Sequence, residues 1–91
     1  MTDYEKNVID ICHTSFDVLT AAATLLRLRK ERAVSLAAIR ELEALQVECA
    51  WAAVTAGELI TAAETGVSHQ ELALELKKLT RQMSKIGFAL E

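Results

Sequence analysis

The chain has 91 residues, 52% of them hydrophobic, 4% aromatic and 25% charged, with a formal net charge of −3 and no proline. That apolar content excludes intrinsic disorder, and the lack of β-branched or aromatic runs excludes a sandwich or barrel. The two cysteines are too few for a disulfide scaffold, and the acidic balance offers no general attraction to nucleic acid or to an anionic membrane.

Alanine (15) and leucine (13) dominate the apolar residues, and the mean hydropathy is +0.20. A chain this short leaves about a third of its unfolded-state surface in water even when folded. Some of the apolar content is therefore expected to lie outside a monomer core. The sequence predicts an all-α domain over residues 1–91, with helices near 3–31, 36–65 and 69–91.

The first helix is predicted from Asp3 to Glu31. Thr2 followed by Glu5 is a capping box. Ile9, Cys12, Phe16, Leu19, Ala23 and Leu26 recur three and four apart, the spacing of one helix face. Val8, Ile11, Val18 and Leu25 widen that stripe on one flank. Asp3, Asn7, Asp10, Thr14 and Asp17 lie opposite.

No glycine or proline marks Arg27 to Val34, so a single helix through both halves is the competing reading. The apolar phase argues against it. Continued from Leu26, the stripe would meet Lys30, Ala33, Ala37 and Arg40 rather than Leu42 and Leu45. Val34 and Ile39 flank a capping Ser35 at the spacing of a hydrophobic staple, which places a turn here.

The second helix is predicted from Leu36 to Thr65, with the stripe Ala38, Leu42, Leu45, Cys49, Ala52, Ala56, Leu59 and Ala63. Gly66 stands where a left-handed glycine would end it. The third helix begins behind Ser68 and Glu71, with Val67 and Leu72 at staple spacing. It carries a heptad run, Leu72, Leu76, Leu79, Met83, Ile86 and Leu90. Short connections between the three imply antiparallel neighbours. The expected architecture is an up-down-up three-helix bundle, a helical hairpin plus a third helix, coiled-coil-like and dimeric.

The middle of the second helix is apolar on two faces. Cys49 points one way; Val47, Trp51 and Val54 point nearly opposite, with Ala44 beside them. Either this helix is sandwiched between the other two, or the Trp51 face meets another molecule. On the third helix Leu74 and Phe88 stand opposite the heptad stripe, among Lys77, Lys78, Arg81 and Lys85. A second basic cluster is Arg27, Arg29, Lys30 and Arg32. Phosphate contact needs such charges, but no stacking platform or glycine-marked helix-turn-helix accompanies them.

Chemistry finds little support. Asp10, His13 and Asp17 share a helix face, without the matching Glu-x-x-His motifs of a metal bundle. His69 falls in the first turn of the third helix and is expected in solvent. Cys12 and Cys49 both take stripe positions, and a turn near residue 32 would bring them to one level. A nucleophilic cysteine needs a basic partner, and neither histidine is on the stripe. No catalytic, metal or cofactor-binding residue is therefore expected. The acidic start, MTDYEKNVID, does not resemble a signal peptide, and the unpaired cysteines fit a reducing cytoplasm. The charge-poor stretch Ala44 to Gly57 would span about 21 Å as helix, short of a bilayer core of about 30 Å. No membrane partner is expected.

The function this implies is non-enzymatic. An inhibitor, adaptor or chaperone would present an apolar helical surface at Ala44, Val47, Trp51, Val54, Leu74 and Phe88 to a protein partner. The alternatives are a dimeric DNA-associated regulator using the basic clusters 27–32 and 77–85, and a structural homo-oligomer.

Overall fold

In the computed structural model, which describes residues 1–91, a side-chain cap starts each of three α-helices: α1 (Asp3–Arg32), α2 (Leu36–Glu64) and α3 (His69–Leu90). Strands are absent. At α1 the Glu5 N–H donates to Thr2 Oγ1 at 3.2 Å, and the Thr2 N–H donates back to Glu5 Oε1 at 2.7 Å. The reciprocal bonds satisfy two donors that a helix start leaves unpaired. Ser35 and Ser68 accept from the N–H groups of Ala38 and Glu71 at 3.1 and 3.2 Å.

The α1–α2 turn needs no glycine, because Ala33 and Ser35 are both extended at negative φ. The Ala33 N–H closes α1 on the Lys30 carbonyl at 3.2 Å. The staple expected there does not form: Val34 is wholly exposed, and the Ser35 cap alone marks the start of α2. At the α2–α3 turn Gly66 adopts φ +79°, a conformation a β-carbon disfavours. It lets the Val67 N–H return to the Ala62 carbonyl at 3.2 Å, the six-to-one bond of a Schellman ending. Val67 then packs on the core and Leu72 is fully buried.

The core is one cluster fed by all three helices. From α1 come Val8, Cys12, Leu19, Ala22 and Leu26; from α2, Cys49, Ala52, Ala56, Leu59 and Ala63; from α3, Leu72, Leu79 and Ile86. The expected stripes of α2 and α3 hold, with Leu42, Leu45, Leu76, Met83 and Leu90 half-buried at their edges. Thr55 is buried too, its hydroxyl donating to the Trp51 carbonyl at 3.1 Å.

The α1 stripe is turned from its expected position. Val8, Ser15 and Ala22 are buried where Ile9, Phe16 and Ala23 were expected. Ile9 and Phe16 are half-buried, Ala23 is exposed, and the flanking Ile11, Val18 and Leu25 are exposed. Ser15 enters the core at low cost because its hydroxyl donates to the Ile11 carbonyl at 2.8 Å.

Every pair of helices is in contact, α1 with α2 most extensively and α1 with α3 least. Phe16 of α1 lies over Gly57 of α2, and Lys30 Nζ meets Glu43 Oε2 at 3.3 Å. Lys85 of α3 meets Glu48 of α2 at 2.9 Å. The first turns of α1 and α3 meet through Tyr4 and His69, and their last turns through Arg29 and the Leu90 carbonyl, 3.1 Å apart. The result is a rod of 49 × 19 × 18 Å.

By length and composition α1 is long and apolar enough to cross a membrane: an 18-residue window within it reaches a mean hydropathy of 1.3. Within α1, Ile11–Leu26 carries one charge, Asp17, over a longer run than the Ala44–Gly57 stretch of α2. A core helix meets the same criterion when most of it is buried. Of the 18-residue window 28% is buried, at α1 positions that follow a heptad spacing against α2 and α3.

Candidate interaction surface

Helix α2 buries one face and leaves the opposite one open. The buried positions, Cys49, Ala52, Thr55, Ala56, Leu59 and Ala63, occupy a single side that serves both neighbours. Val47, Trp51 and Val54 are 55%, 60% and 49% exposed, and Ala44 is exposed beside them. Trp51 is not clamped between α1 and α3, because both pack against the Cys49 side. A tryptophan 60% exposed leaves much of its hydrophobic stabilisation unused.

The surroundings of this face are small and nearly neutral. Ala50 is exposed and Gly57 half-buried on the α1 side; Ala62 is half-buried on the α3 side. Glu43 and Glu48, which flank the stripe, are each engaged by a lysine of another helix. Beyond Val54 the surface dips into a shallow concavity lined by Gly57, Glu58, Thr61 and Val67.

On α3, Leu74 and Phe88 are 63% and 80% exposed. Lys77, Lys78, Arg81 and Lys85 are exposed around them. Of the eight clustered basic residues, Lys85 is tied to Glu48, Lys30 to Glu43, and Arg29 to the Leu90 carbonyl. Arg27 and Arg32 are exposed at the end of α1. A patch whose charges are partly spent inside the chain has fewer left for phosphate.

Sequence periodicity missed a second open stripe. Ile11, Val18, Leu25 and Leu28 are all exposed, with exposed Thr14 and Ala21 completing a heptad pattern on α1. The signal was present in the seven-residue spacing of Ile11, Val18 and Leu25, but it was absorbed into the flank of the buried stripe.

The other candidate chemistry stays apart. Asp10, His13 and Asp17 remain on the exposed side of α1, and the His13 ring lies 6.4 Å from that of Phe16. His69 is exposed, as expected, and its ring lies tilted against that of Tyr4 with centroids 4.6 Å apart; its Nε2 is 3.4 Å from Thr2 Oγ1. Both cysteines are free and buried, and burial pushes both thiols above their ordinary value; Glu48 adds to the effect at Cys49. They are not level. The register set by Phe16 over Gly57 and by Lys30 on Glu43 puts Cys12 beside residue 61 and Cys49 beside residue 24. That is a stagger of about 18 Å along the axis.

No family model, curated protein or solved structure matches this chain.

Proposed function

We propose that this protein is a non-enzymatic interaction protein that works by presenting an apolar helical surface to a protein partner. The observation carrying this reading is the open face of α2, where Val47, Trp51 and Val54 stand in water beside small residues. Grouped apolar side chains at helical spacing are what a helix-in-groove or helix-on-helix partner buries. A tryptophan ringed by alanine and valine is a suitable anchor.

The scaffold beneath is an antiparallel up-down-up bundle within a single domain. Phe16 over Gly57 and Lys30 on Glu43 support opposite directions for α1 and α2; Lys85 on Glu48 supports the same for α2 and α3. The shared ends of α1 and α3 support their parallel course. Two unpaired thiols support a reducing compartment such as the cytoplasm. Asp10 and Asp17 on the open side of α1 speak for water rather than lipid around that helix.

The test is affinity capture from source cells with the full chain and with its Trp51→Asp variant. The expected result is a retained protein that the variant loses, with the helical circular dichroism unchanged. Equal retention by both, or no retained protein, rules out this surface.

A further inference from the structure

The open face of α2 ends in a charge at each side. Arg40 precedes Ala44 by one turn, and Glu58 follows Val54 by one turn; both are exposed. The chain forms two salt bridges, Lys30–Glu43 and Lys85–Glu48, and neither involves Arg40 or Glu58. The two residues are 18 positions apart in one continuous helix. That is about five full turns, so both project from the same angular position, about 27 Å from each other along the axis. Between them on that face stand Ala44, Val47, Trp51 and Val54.

This arrangement is its own complement under a two-fold axis. We infer that the Trp51 face of α2 is the interface of a homodimer in which two α2 helices pair antiparallel, Arg40 of each copy opposite Glu58 of the other. The inference rests on the proposed protein-binding role of this face and names its occupant. In that register Val47 of one copy opposes Trp51 of the other, and Ala44 opposes Val54. Larger and smaller side chains alternate across the seam, as close helix packing requires. The parallel alternative sets arginine on arginine and glutamate on glutamate at both ends, which is repulsive.

Nothing else charged interrupts the seam, since Glu43 and Glu48 are held by lysines of their own chain. The surface is isologous, the form that a two-fold dimer uses. One helix pair of this length is a small interface, so the dimer dissociates on dilution.

Sedimentation of the purified full chain, from low micromolar to near-millimolar concentration, tests the pairing. Wild type is expected to pass from monomer to dimer. Trp51→Asp is expected to stay monomeric. Arg40→Glu and Glu58→Arg are each expected to weaken the dimer by about tenfold at low salt, because each creates two like-charge contacts. The double reversal, Arg40→Glu with Glu58→Arg, restores the pairing and is expected to return close to wild type. All three sites are on the surface, and circular dichroism checks that each variant folds. A wild type monomeric throughout overturns the inference, as does a dimer indifferent to Trp51→Asp, or a double reversal no better than the singles. A monomeric wild type that still retains another protein through Trp51 overturns the homodimer alone and leaves the partner-binding role standing.

Discussion

Glu5 is a carboxylate held almost out of solvent at the start of α1. It is tolerated because the Thr2 N–H and hydroxyl both donate to Oε1, at 2.7 and 3.0 Å. These bonds hold its carboxyl below the ordinary carboxylate range, the backbone bond contributing most. A folded-state value below the unfolded one adds stability at neutral pH that is lost as pH falls through the folded value. Acid titration of stability should therefore be steeper for wild type than for Glu5→Gln, measured by urea melts from neutral to strongly acidic pH. Equal slopes would mean the capping box carries no charge-dependent stability. The Thr2–Glu5 pair was legible from four residues of sequence. The contact of His69 with Tyr4 was not, since it joins residues that only tertiary packing brings together.

Among the elements, α1 shows the limit of periodicity. Its apolar residues cover a wide arc, and any of several phases fits a stripe. Burial by α2 and α3 selects Val8, Ser15 and Ala22 over Ile9, Phe16 and Ala23. Adjacent residues then differ sharply. Leu19 is buried and Val18 is exposed. Leu19→Ala should cost about 2–4 kcal/mol in urea unfolding, through lost transfer energy and a residual cavity. Val18→Lys should change stability by no more than about 0.5 kcal/mol. Reversed magnitudes would contradict the burial of Leu19 and the exposure of Val18. The narrower heptad of α3 allowed no such freedom, and Leu72, Leu79 and Ile86 are buried as the spacing required. The α2 stripe was equally plain from Cys49 to Ala63, and its open second face was visible as Val47, Trp51 and Val54.

Over the whole molecule, the register between α1 and α2 separates the two thiols that a turn near residue 32 would have aligned. Their stagger exceeds the reach of a disulfide, about 7 Å between Cα atoms. Each is instead a small core residue whose burial disfavours the reactive thiolate. Both should react slowly with an aromatic disulfide reagent at mildly alkaline pH, at rates that rise together with urea through the unfolding transition. Fast reaction of either thiol in the native protein would contradict the core as described. The same rod, 49 Å long and under 20 Å across, has little interior for its apolar content. Two stripes, one on α1 and one on α2, stay at the surface for that geometric reason.

Local chemistry was enough to determine the three helices, their caps at Thr2, Ser35 and Ser68, and the glycine ending at Gly66. Each depends on side chains only a few residues apart, whose hydrogen bonds and allowed backbone angles need no distant partner. Tertiary structure decided which arc of α1 is buried, where Cys12 and Cys49 lie along the rod, and that Trp51 is left in water. These depend on the rotation and axial offset of one helix against another. Such offsets are set by the summed packing of all three surfaces, and no window of a single helix contains them.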